Sequence, residues 1–343
     1  MTTSVRVDSP TEGRNPATGE IDRLPTAEVL RLLVAEDATV PPAVAAAVPE
    51  LTRAVDLLVG ALRRGGRVHV VGAGTSGRLA ALDADELGPT YGLEPGRWTA
   101  YVAAYQSTVD SPAAGTVGGP VNGTVHGAGA GTVGGPVNGT VAGAAAGPGG
   151  GIVDGEDDTV AGAAIGALAG PGDVLVGVTA SGRTPFAIAA LRVARDNGAG
   201  TVLLSGNPSA AAGSEVDVHV AVRTGPEAIT GSTRLKAGTA QKLALNALST
   251  ATMVRCGRTW SNLMIGAVAT NSKLRGRIAA ALEVATGEDA GACRKAVDEA
   301  DGDGRVALLT LLAQVPSSVA QRALERTGGH VREALEALGD RHG

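Results

Sequence analysis

Aromatic residues are scarce in this chain: one Phe, two Trp and three Tyr among 343 residues. Any core must therefore be packed with Ala, Val and Leu. Cysteine is almost as rare. Cys256 and Cys293 stand far apart and form neither a metal knuckle nor a disulfide framework. The five histidines (His69, His126, His219, His330 and His342) are scattered and suggest no ligand set. Neither a metal nor an organic cofactor is expected. Lys and Arg nowhere cluster, and the net charge is −5, which argues against a nucleic-acid or polybasic membrane partner. No apolar run reaches the ~18 residues of a membrane span. The polar start MTTSVRVDSPTEGRNP lacks the apolar stretch of a secretory signal. A cytoplasmic protein is the expectation.

Glycine, by contrast, is abundant at 51 residues. Much of it lies in residues 107–151, where GTVGGPVNGTV occurs at 115–125 and again at 131–141 and where Lys, Arg and Glu are missing. Two copies are too few for a solenoid. The stretch reads as a loop-like insertion. Its two Asn-Gly-Thr triplets, at Asn122 and Asn138, are discounted as glycosylation acceptors because no secretory signal precedes them.

Elsewhere strands and helices alternate. Continuously apolar runs at 67–74, 98–104, 173–180, 201–207 and 217–224 predict strands buried on both faces. Helical patterns fall at 49–64, 76–87, about 158–168, 184–197 and 236–255. Leu51, Val55, Leu58 and Leu62 mark the buried stripe of the first, and Pro49 suits its first turn. This alternation predicts a doubly wound, five-stranded parallel sheet flanked by helices. Beyond about 271 only helical pieces follow, at 271–285, 288–300, 304–314 and 317–326, with a last short helix after Gly328-Gly329.

The end of the first strand, GAGTSGR (72–78), contains Gly72-x-Gly74-x-x-Gly77, the form of a dinucleotide turn. A dinucleotide site also needs an acidic residue at the end of the second strand, about 20 residues on. That strand instead ends AYVAAYQ, and the nearby acids Asp83, Asp85 and Glu86 fall on the helix. No P-loop pattern occurs. More telling, TSGR (75–78) recurs as ASGR (180–183), each at a strand end opening a helix. Small hydroxyl residues at such corners leave N–H groups, the helix dipole and hydroxyl donors converging on one spot, a seat for one phosphate monoester. Ser232, Thr233 and Lys236 sit at the start of the 236–255 helix, a third terminus suited to anions.

The doubled turn resembles the sugar isomerase (SIS) phosphosugar-binding domain. Six stretches widen the match: TEGRNPATGEID (11–22), GAGTSGRLAALDADELGPTYG (72–92), VGVTASGRTPFAIA (176–189), SGNPSA (205–210), GPEAITGSTRLKAGTAQKLALNALST (225–250) and NLMIGAVATNSKLR (262–275). Together they resemble the N-acetylmuramic acid 6-phosphate etherase family. The resemblance implies an SIS-type catalytic domain over 1–270, with N-terminal helices and the insertion at 107–151. It also implies a small, ubiquitin-associated-like helical domain over 271–343. A homodimer with sites at the subunit interface and a phosphosugar substrate follow from it too.

Cleaving a lactyl ether at C3 of such a sugar requires a base and an acid. In the open-chain aldehyde the C2 proton is acidic, and its removal lets the C3 oxygen leave before water adds back. Two carboxyl groups suffice. The resemblance assigns the acid to Glu86 and the base to Glu156 within VDGEDD (153–158). The family's Gly-Gly and helix ahead of that Glu are replaced here by the Gly-rich repeat. Thr75, Ser76, Gly77, Ser181, Gly182, Arg183 and Thr184 would contact phosphate or sugar hydroxyls, as would Ser232, Thr233 and Lys236. Glu227 would stand near the sugar ring. Two other functions are compatible with the same turns: an aldose–ketose isomerase, and a non-catalytic phosphosugar-sensing regulator.

Overall fold

A computed structural model of the protein describes residues 9–103, 139–141, 155–269 and 272–339, the 139–141 stretch as backbone alone. Most of the Gly-rich segment, including Asn122 and Asn138, lies outside the described residues. The chain forms two compact units, Met1–Ala84 with Trp98–Leu248, and Asp85–Arg97 with Ser249–Gly343.

The first unit is built on a parallel sheet. Its strands are β1 (Val68–Ala73), β2 (Trp98–Ala103), β3 (Gly139–Val141), β4 (Val174–Thr179), β5 (Gly200–Ser205) and β6 (Val218–Ala221). Their order is β3-β2-β1-β4-β5-β6. All five expected strands are present. The sixth, β3, pairs with β2 at the sheet edge from within the segment read as loop, where Gly and Pro hide a three-residue strand from any apolar-run criterion. Val68 stands opposite Trp98 on one side and Val174 on the other, so β1 lies inside the sheet, with β4 beside it at the middle of the order. The runs were continuous because the strands are buried on both faces: β4 is buried throughout, as are Val202, Leu203 and Leu204 of β5.

Helices α1 (Thr26–Asp37), α2 (Val40–Ala46) and α3 (Val48–Arg63) precede the sheet. The expected stripe of α3 is buried, with Ala54 and Ala61 added to it, and Pro49 is in its first turn. The resemblance implied N-terminal helices, but no periodic pattern located α1 or α2, and α1 buries no residue fully. Helix α4 (Gly74–Tyr91) follows β1, α5 (Thr159–Gly166) precedes β4, and α6 (Pro185–Asp196) joins β4 to β5. Phe186, the one Phe of the chain, is fully buried at the start of α6. Helix α7 (Lys236–Arg255) follows β6.

The second unit comprises α8 (Ser272–Thr286), α9 (Ala290–Glu299), α10 (Gly304–Ala313), α11 (Ser317–Arg326) and α12 (Val331–Gly339). Asp289 and Asp303 cap α9 and α10 by accepting backbone N–H groups. Its core contains Ile278, Leu282, Val297, Leu308 and Leu309, and also Ile265, Ala267 and Ala269. Arg258 holds the Gly92 carbonyl and pairs with Glu94. These contacts place residues 249–269 and 85–97 with the helices, so packing divides the chain at 248 rather than at 270.

Near the start of the sheet lies a polar cluster. His69 on β1 is 3% exposed, stacks on Tyr101 and shares a hydrogen bond of 3.2 Å with its hydroxyl. Asp173 accepts from the backbone and guanidinium of Arg67, and its Oδ2 lies 3.9 Å from His69 Nε2. Burial, aided by the Arg67 charge, lowers the imidazole pKa to about 4. A depressed histidine favours the neutral fold. Its contribution is present above 6.5 and is lost as pH falls towards 4. The shift from 6.5 corresponds to roughly 3 kcal/mol. Urea melts of wild type and His69→Phe between pH 7 and 4 should diverge, with the steeper loss in wild type; parallel curves would contradict the assignment.

Candidate functional site

Both twinned corners lie at the carboxyl ends of β1 and β4, adjacent strands from which the chain winds in opposite directions. This is the switch point of an open α/β sheet, where ligand crevices form.

At the first corner β1 enters α4 with no intervening loop. A Cβ on Gly77 would fall 2.3 Å from the Gly72 carbonyl oxygen, so only glycine permits the turn. The bend aims Ser76 inward. It is buried, and its hydroxyl donates to Gln241 Oε1 of α7 at 3.0 Å. Thr75 is half-buried and its methyl approaches Gly238 of α7. Arg78 is exposed.

At the second corner Gly182 has φ +72°, and a Cβ there would meet that of Ala210 at 2.4 Å. Asn207 donates to the Ser181 carbonyl at 3.0 Å, so this side chain braces the turn. Thr184 leads into α6, and its side chain does not cap that helix. Its hydroxyl instead lies 2.7 Å from that of Thr179 and donates to Glu156 Oε1 at 3.1 Å. The expected base and the second turn are thus in contact. A cavity of about 520 Å³ opens beside this corner, lined by Ser9, Gly182, Arg183, Asn207 and Ser209 among others. Arg183 is exposed at its rim.

The third expected anion seat is filled by the protein itself. Glu227 is fully buried, and its carboxylate accepts from Lys236 N and Ala237 N, both at 2.9 Å. Gly238 N donates to the Thr233 carbonyl and Thr239 N to that of Leu235. The first N–H groups of α7 are therefore spent inside the fold, which corrects the reading of this terminus as an open anion site. Lys236 is also committed: its ammonium is buried and lies 2.6 Å from Glu36 of α1. Asn15 donates to the same carboxylate, and Thr18 donates to the Ala228 carbonyl. The TEGRNPATGEID stretch thus pins the loop ahead of α7. Ser232 and Thr233 are half-buried in that loop. Burial pushes the Glu227 carboxyl up, while the two N–H groups and Lys236 pull it back.

Glu86 is exposed on the part of α4 that belongs to the helical unit. Its neighbour Asp85 has its carboxyl raised, first by burial and then by the Glu86 charge. Sequence reasoning overlooked Gln241, Glu36 and Asn15. Gln241 and Asn15 stood inside quoted motifs, and only their partners reveal their roles.

Residues 150–251 match the SIS domain. This fold, with its doubled turn, defines the class. The N-acetylmuramic acid 6-phosphate etherase of Thermobifida fusca is 49% identical over 306 residues, 89% of this chain and 88% of that protein. Those of Streptomyces avermitilis (42%, covering 95% and 93%) and Rubrobacter xylanophilus (41%, covering 95% and 95%) extend over nearly the whole length. A solved phosphoheptose isomerase from Francisella tularensis is 16% identical at a TM-score of 0.42, over 67% of this chain and 98% of its own. The chain belongs to the N-acetylmuramic acid 6-phosphate etherase family, and is an enzyme of the ether-cleaving, lyase type.

Replacing Glu227 by Gln would turn one acceptor oxygen into an NH₂ facing a backbone N–H. Chemical denaturation should show a loss of about 1–3 kcal/mol, and an unchanged midpoint would mean the cap contributes nothing.

Proposed function

We propose that the chain cleaves the D-lactyl ether of N-acetylmuramic acid 6-phosphate, giving N-acetylglucosamine 6-phosphate and D-lactate in the recycling of cell-wall amino sugars. The observation that carries this reading is the doubled Ser-Gly-Arg corner at the switch point, with Glu156 bonded to Thr184 beside the second copy. The etherase names of relatives at 41–49% identity support it.

In this reading the phosphate sits on the first corner, against Thr75, Ser76 and Gly77. Ser181, Gly182, Arg183 and Thr184 hold the sugar. Glu156 takes the C2 proton of the open-chain aldehyde, and the Thr184 hydrogen bond keeps its oxygen aimed. Glu86 gives a proton to the C3 oxygen as lactate leaves. Water then adds at C3 of the unsaturated aldehyde, and C2 regains a proton. Ser232, Thr233, Lys236 and Glu227 support the site from behind, through the pinned loop. The reaction needs no cofactor.

A homodimer and a cytoplasmic setting belong to the same reading. Leu30 and Val34 on α1 are 56% and 68% exposed, an apolar surface suited to a second copy.

The test is incubation with the phosphosugar in D₂O. Wild type should release D-lactate and place deuterium at C2. Glu156→Gln should lose both, by about 10²–10⁴-fold. Glu86→Gln should lose lactate release by a similar factor yet retain C2 exchange. An aldose–ketose conversion without lactate would overturn the reading, as would binding without turnover.

A further inference from the structure

Gln241 is the unexplained group of this site. It is 4% exposed, and its Oε1 accepts the Ser76 hydroxyl, so the amide reaches the first turn of the 18-residue helix α4. Its Nε2 has no hydrogen-bond partner among the described residues. A buried amide with two unused donors is a defect in a finished core. It is no defect if an acceptor arrives from outside. Exchanging the amide's O and N does not remove the surplus. Nε2 would then donate to Ser76 Oγ, freeing the serine hydrogen to point outward. Either way, Ser76 and Gln241 together keep a donor in reserve beside a helix N-terminus, where the dipole favours an anion.

We propose that Gln241 is a phosphate-binding residue, its side-chain amide donating to a phosphoryl oxygen seated on the first turn of α4. The inference rests on the phosphosugar reading above and adds to it a ligand from α7. It also explains why Ser76 is held by a side chain and not by its own helix: the Ser76–Gln241 bond sets both groups before the ligand enters. Gln suits the task better than Lys, because it presents donors to the anion while accepting from Ser76 with the same group.

The test uses the full chain, with inorganic phosphate and N-acetylglucosamine 6-phosphate as probes. Gln241→Glu keeps an acceptor for Ser76 but replaces the donors with a negative charge. Gln241→Met keeps the volume with no hydrogen-bond donor. Calorimetric titration should show phosphate Kd raised about 100-fold or more in Gln241→Glu and about tenfold in Gln241→Met. In lactate release the loss should appear in KM, with kcat changed much less. The melting temperature of Gln241→Met should not fall, since an unpaired polar group has been removed.

Phosphate affinity within threefold of wild type in a folded variant overturns the proposal. So does a lower melting temperature for Gln241→Met with its affinity intact, which would mark a packing role. A wild type that fails to bind phosphate overturns it outright. Phosphate binding that depends on Gln241, without lactate release, leaves this inference standing and removes the etherase reading. Lactate release that both variants retain at wild-type KM does the reverse.

Discussion

A backbone carbonyl lying where a side chain would have to be fixes this site. With the Gly72 oxygen 2.3 Å from the Cβ position of Gly77, strand and helix meet with nothing between them. That contact turns the first residues of α4 across the end of β1 and sends Ser76 inward against α7. The second corner reaches the same end by another route. There a left-handed Gly182 and the Asn207 amide hold the turn, and Thr184 bonds to Glu156 instead of capping its own helix. Because β1 and β4 are neighbours, both corners stand side by side at the same end of the sheet.

Charge is handled differently behind these corners. The start of α7 has the dipole and N–H groups of an anion site, yet Glu227 occupies it permanently. Removing a carboxylate from water is costly unless donors replace the solvent. Here two N–H groups do so, and Lys236, itself paired with Glu36, balances the charge. The chain closes from Asn15 through Glu36 and Lys236 to Glu227, tying the N-terminal segment to the loop before α7. Asn15, Lys236 and Glu227 are buried and Glu36 is half-buried, so losing one member would strip a neighbour of its partner.

How legible this was in the sequence depended on whether one local pattern sufficed. Five strands were readable because burial on both faces leaves an unbroken apolar run. The stripe of α3 was readable because one face is covered. Helix α1 buries no residue fully: Val29, Leu32 and Leu33 are only half-covered while Leu30 and Val34 stay exposed, so no clean stripe marked it, and β3 is too short and Gly-rich to register. The boundary near 248 was hidden because α7 reads as one continuous helix, while the residues that join the helical core, Ile265, Ala267 and Ala269, look like loop. Among site residues, the paired Ser-Gly-Arg turns were visible through repetition. Gln241 and Glu36 were invisible, since their meaning lies in partners 165 and 200 positions away.

The strand order poses a sharper problem, because order 3-2-1-4-5-6 with a Gly-x-Gly-x-x-Gly corner is also the dinucleotide-binding arrangement. Topology and glycines alone do not separate a dinucleotide from another phosphate ligand. The same glycine logic serves both, for it only lets helix and strand approach closely. What differs is the space above the turn. A pyrophosphate needs bare backbone there and a carboxylate at the end of β2 for the ribose. Here β2 supplies Trp98 to Ala103 without an acid, and the turn is covered by a serine tied to a glutamine from another helix. A second hydroxyl-bearing turn stands where a dinucleotide would continue across the switch point. The side chains around the turn, and not the sheet beneath it, set this corner apart from a dinucleotide site.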